Sequence, residues 1–68
     1  MHKLIESVIN DNTAATLIFG GNQVVVDASV SNLGRIRVYL KGSSALPRTR
    51  FFNVTDIDKI LDVIEQSY

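Results

Sequence analysis

The stretch "QVVVDASVSNLGRIRVYLK", residues 23–41, decides how this chain is read. Its second half alternates Arg35, Arg37, Tyr39 and Lys41 with Ile36, Val38 and Leu40. Successive side chains of an extended strand leave on opposite faces, so this segment divides into a basic face and an apolar one. The first half alternates in the same way, with Val24, Val26 and Ala28 in phase against Gln23, Val25, Asp27 and Ser29. Between the two halves, a loop of Asn32, Leu33 and Gly34 puts glycine where a three-residue hairpin needs a left-handed backbone. That loop sets Val30 against Ile36, Ala28 against Val38 and Val26 against Leu40. A one-residue slip would bring Val30 against Arg35 and mix the two faces.

Working outward, "GGN" (20–22) joins "ATLIF" (15–19) to this hairpin as a tight two-residue turn. Phe19 then faces Asn22, Leu17 faces Val24 and Ala15 faces Val26. Upstream, Leu4, Ile5, Val8 and Ile9 mark one side of a helix over 2–11, which "NDNT" (10–13) stops. Downstream, "KGSSALPRT" (41–49) is a surface loop by composition. "RFFNV" (50–54) reads as a short fourth strand, with its inward phenylalanine and its pairing partner left open. Ile57, Ile60, Leu61, Ile64 and Tyr68 recur at helical spacing to the end of the chain. Thr55 with Asp58 reads as a capping box, and Asp56 lies at the positive end of that helix.

The elements make one α+β domain over residues 1–68, a small two-layer sandwich. An antiparallel sheet of three to four strands carries the N- and C-terminal helices on one face, in the order α-β-β-β-(β)-α. The covered face holds Leu17, Val24, Val26, Ala28, Ile36, Val38 and Leu40. The open face holds Thr16, Ile18, Gln23, Val25, Asp27, Ser29, Arg35, Arg37, Tyr39 and Lys41.

Composition narrows the function classes. The chain has 68 residues, 46% of them hydrophobic, with one proline, which favours a packed globule over disorder. A core this small leaves little net stability, and small domains usually add a disulfide, a metal or a partner subunit. Cysteine is absent, which leaves self-association as the staple still available. A homodimer or higher oligomer is therefore expected, through Ile18, Val25 and Tyr39 or through a sheet edge. No signal-peptide pattern opens the chain and no apolar run approaches a bilayer span, so a soluble, cytoplasmic protein is expected.

No residue set offers enzyme chemistry. The single histidine, His2, lies at a terminus, so Ser29, Ser31, Ser43 and Ser44 have no base to activate them. Asp56, Asp58, Asp62 and Glu65 read as the helix N-terminus and its solvated side rather than a metal cage. "FGGN" lacks the spacing and the lysine of a phosphate loop. A non-catalytic protein without cofactor or metal is the expectation.

Charge distribution says more than the formal net charge of zero. No acidic residue lies between Asp27 and Asp56, whereas Arg35, Arg37, Lys41, Arg48 and Arg50 do. The expected partner-binding set is Arg35, Arg37, Tyr39, Lys41, Arg48 and Arg50, facing an anionic partner such as an acidic protein surface. The alternative is a nucleic acid, with phosphates neutralised by the cations and a base stacked on the tyrosine. The plain structural alternative is a solvated strand whose cations pair with Asp27, placed opposite Tyr39 and diagonal to Arg37 and Lys41.

Overall fold

The chain runs α1 (His2–Asp11), β1 (Ala14–Phe19), β2 (Asn22–Asp27), β3 (Arg35–Leu40), β4 (Thr49–Asn53) and α2 (Ile57–Gln66) in a computed structural model that describes residues 1–29 and 34–68. The four strands form one antiparallel meander, in sheet order β1-β2-β3-β4. Both helices lie on one side of it. Ile5 and Val8 of α1 and Ile60 and Ile64 of α2 join Leu17, Val24, Val26, Ala28, Ile36, Val38 and Leu40 in a single buried cluster. Every strand residue expected on the covered face is therefore in the core. Leu4 is the exception among the α1 residues, remaining 45% exposed.

Local chemistry sets the element ends. Asn12, with φ 53°, takes the left-handed conformation just past α1. Its N–H donates to the Ile9 carbonyl and that of Thr13 to the Val8 carbonyl, which satisfies two orphan acceptors of the last turn. Gly20 and Gly21 both have positive φ, at 56° and 80°, as a two-residue hairpin turn with the twist of its strands requires. The β1–β2 register is the expected one, with Phe19 opposite Asn22, Leu17 opposite Val24 and Ala15 opposite Val26.

The β2–β3 register differs from expectation by two residues. Val26 stands opposite Val38 rather than Leu40, Val24 opposite Leu40, and Asp27 opposite Arg37 rather than Tyr39. The β2 strand ends at Asp27 instead of running to Val30. Asp27 is the physical cause: its Oδ1 accepts the Ser29 N–H at 2.9 Å and the Ser29 hydroxyl at 2.6 Å. A side chain that captures the backbone donor two residues on bends the chain away from the ladder. Because the shift is an even number, every side chain keeps its face. Gly34 has φ 68°, the left-handed value expected of it, while the Val30–Ile36 pairing and the Asn32–Leu33 part of the loop lie outside the described residues.

The β4 strand pairs with β3 and turns Phe52 inward, opposite Ile36, leaving Phe51 opposite Arg37 on the open face. The capping box expected from Thr55 is not formed. The α2 helix starts one residue later, with Asp56 at its N-cap and no side-chain hydrogen bond closing the cap. The segment after β3 is tied to the end of α2. Buried Ser43 donates its hydroxyl to the Ser67 carbonyl at 2.9 Å and accepts the Ala45 N–H at 3.0 Å. Tyr68 donates its hydroxyl to the Lys41 carbonyl at 2.8 Å, and its ring lies 6.4 Å from that of Phe19. Among the described residues, no helix is long and apolar enough to cross a membrane.

Candidate interaction face

Strand pairing lays out the uncovered side of the sheet row by row. Thr16, Val25, Tyr39 and Thr49 form one row, and Ala14, Asp27, Arg37 and Phe51 the next. Ile18 and Gln23 flank the first row, and Arg35 and Asn53 lie beyond the second. Neither helix covers this surface, so side chains that alternate with the core meet solvent. Ile18 is 65% exposed, Phe51 54% and Tyr39 37%. Tyr39 and Phe51 occupy diagonal positions on neighbouring strands. A shallow depression between Val25, Arg37, Tyr39 and Thr49 is open rather than enclosed.

The charges on this face divide into a paired centre and freer flanks. Arg37 Nη2 donates to Asp27 Oδ2 at 3.0 Å. Asp27, only 8% exposed, is held below the usual carboxylate range first by the Ser29 hydroxyl. Burial opposes that shift, while the Ser29 N–H and the Arg37 guanidinium reinforce it. With two donors on Oδ1 and one on Oδ2, it remains charged and neutralises Arg37. Lys41 Nζ donates to Gln23 Oε1 at 3.3 Å, a neutral partner that leaves its charge uncompensated. Arg35 is exposed at the start of β3. Arg35 and Lys41 thus bracket an apolar and aromatic middle.

Arg48 and Arg50 do not join Arg35, Arg37, Tyr39 and Lys41. Arg48 Nε donates to the Ser43 carbonyl at 2.7 Å and closes the segment between β3 and β4. Arg50 stands opposite Val38, which places it on the helix side of the sheet edge, and its Nε donates to the Pro47 carbonyl at 3.1 Å. Alternation through β4 assigns that side once one partner is known. Phe51 is the residue that pattern reading left unplaced. The available signal was the shared phase of Phe52 and Val54, both of which pack against the core. Ile18, Val25 and Tyr39, expected as an oligomer contact, do lie on one face, and Phe51 extends their patch.

Asp58, Asp62 and Glu65 are all exposed on α2. His2 stands between the two helices, with Nδ1 3.1 Å from Glu6 Oε1 and Nε2 3.7 Å from Asp58 Oδ1. Among the described residues, His, Asp and Glu form no group of three able to hold a metal ion. Ser43, the buried hydroxyl, is used by Ser67 and Ala45, so it faces no base. No protein-family model, curated protein or solved structure matches this chain.

Proposed function

We propose that the protein is a non-catalytic interaction module that holds an anionic partner, an acidic protein surface, on the open face of its sheet. The observation that supports this reading is the makeup of that face. Arg35, Arg37 and Lys41 share it with exposed Ile18, Tyr39 and Phe51, and its one acid, Asp27, is occupied by Arg37 and Ser29. Aromatic and arginine side chains gathered around a neutralised centre are the mixture from which protein interfaces draw most of their energy. A second reading, a single-stranded nucleic acid, is favoured by one feature: Tyr39 and Phe51 offer two neighbouring rings for stacking beside the cations. The small number of free cations and the zero net charge place it behind the first.

The test is an amide-resolved NMR titration with poly-glutamate and, separately, with a random single-stranded oligonucleotide. Under the first reading, poly-glutamate shifts the amides of residues 35–41 in low salt, and Arg35→Glu/Lys41→Glu abolishes the shifts. Shifts only with the oligonucleotide would transfer the face to the second reading. No shift with either in low salt, or shifts indifferent to the double substitution, would leave it a solvated sheet surface.

A further inference from the structure

Strand β1 is an outer strand of the sheet, and the way it closes on β2 fixes where its backbone groups point. Across a two-residue turn the flanking pair, Phe19 and Asn22, exchanges both of its hydrogen bonds. Alternation bonds Leu17 and Ala15 to β2 in the same way, and the Ala28 N–H, donating to the Thr13 carbonyl at 2.9 Å, keeps that phase. The N–H and C=O groups of Ala14, Thr16 and Ile18 therefore point away from β2, along a rim of exposed residues. Helix α1 packs on β2 and on α2. We propose that a second copy of this chain takes up that rim. The two β1 strands run antiparallel about a two-fold axis through Thr16, and the two four-stranded sheets become one.

The rim itself sets the register. With Thr16 opposite Thr16, Ala14 of each copy stands opposite Ile18 of the other, so every outward residue enters a bonded pair, for about six hydrogen bonds. Sliding to Thr16 against Ile18 would leave Ala14 beside the Gly20 turn with no strand partner. The same register sets Ala15 beside Leu17 on the helix side, and no charge meets an apolar neighbour. The other rim is guarded. Pro47 and Arg48 precede β4 and Arg50 stands within it, whereas β1, "AATLIF", carries neither proline nor charge. Joining β1 to β4 of the next copy would place Arg50 opposite Ala15, Leu17 or Phe19 in every register with two or more bonded pairs. Charge therefore selects β1 on β1, which closes at two copies. Because the axis is perpendicular to the sheet, both helix layers stay on one side and the two open faces become continuous. The pairing does not depend on what those faces bind. Six strand residues span about 20 Å. A contact of that length and one strand deep falls short of the roughly 800 Å² per partner of a standard interface, so the dimer exchanges with its monomer.

Sedimentation velocity and amide hydrogen exchange on the intact chain test this. Between about 10 μM and about 1 mM the mean mass should rise from monomer toward dimer and stop there. At the high end the amides of Ala14, Thr16 and Ile18 should become protected, whereas those of Ala15, Leu17 and Phe19 are protected at every concentration. Thr16→Pro removes an outward N–H from an edge position that tolerates proline. It should stay monomeric throughout, with circular dichroism showing the fold retained. Asn53→Pro makes the same change on β4 and should dimerise as the wild type does. Thr16→Lys sets two cations directly opposite at the axis and should weaken association about fivefold in low salt. Thr16→Glu should do the same alone, and an equimolar mixture of the two should restore the dimer. This pair carries the test if Thr16→Pro unfolds. A wild type monomeric at about 1 mM, or one that grows past two copies, overturns the pairing. So does a dimer in which Ala14, Thr16 and Ile18 exchange freely, one that Asn53→Pro abolishes, or one that the Lys and Glu variants each form as tightly as the wild type.

Discussion

Asp27 and Arg37 stand directly opposite each other on β2 and β3, joined at 3.0 Å, in the middle of a face that no helix covers. The pair ties together two facts about the molecule. Asp27 ends its strand by taking the Ser29 N–H and hydroxyl, and it neutralises the central cation of the basic row. A charge pair that is already satisfied can be covered by a partner without stranding either member.

Removing the two members has unequal consequences. Asp27→Ala takes away three hydrogen bonds at a buried carboxylate and is expected to destabilise the fold by about 2–3 kcal/mol. Arg37→Ala removes one bond from a half-exposed side chain and should cost about 1 kcal/mol or less. Urea denaturation of both singles and the double completes a mutant cycle. Equal losses for the two singles would contradict the Ser29 contribution.

The same carboxylate makes stability depend on acid. Its pKa in the folded protein is below the unfolded value of about 3.9, so its contribution is fully present above that value. That contribution is lost as pH falls through the lower folded pKa, because the unfolded chain takes up the proton first. The stability gap between wild type and Asp27→Asn should therefore be constant near neutrality and shrink below about pH 4. Denaturation curves across that range measure it.

At the other end of the sheet, Tyr68 works with the opposite sign. Burial, reinforced by Tyr39, pushes its hydroxyl pKa upward, and the Lys41 carbonyl accepts its proton. Its contribution is fully present below an unfolded pKa of about 10 and is lost as pH rises through the higher folded value. Tyr68→Phe should cost about 1 kcal/mol at neutral pH and narrow its deficit against wild type in alkali. Hydrogen exchange at residues 41–45 should quicken in the same variant.

Face assignment separates two otherwise similar substitutions. Ile36→Ala empties a fully buried site and should destabilise by about 2–5 kcal/mol. Ile18→Thr, on an exposed strand position, should change monomer stability by about 0.5 kcal/mol or less. Chemical denaturation checks both. A large loss at Ile18 would mean that its face is covered within the monomer.

The sequence by itself determined which side of β1, β2 and β3 faces the core, where both helices run, and that β1 and β2 close through Gly20 and Gly21. Period-two alternation and glycine's access to positive φ carry that information locally. It could not determine the β2–β3 register, because a two-residue shift preserves the alternation completely. Only the folded chain decided that, when the Asp27 carboxylate took the Ser29 donor that the longer ladder would have used. The same holds for Arg48, Arg50 and Phe51. Their charges and rings are plain in the sequence, but the pairing of β4 with β3 assigns Arg50 and Phe51 to opposite sides, and the Ser43 carbonyl draws Arg48 into its own loop. Pairing partners far apart in the chain are a tertiary matter, since only packing of the whole sheet against both helices selects among registers that local patterns treat as equal.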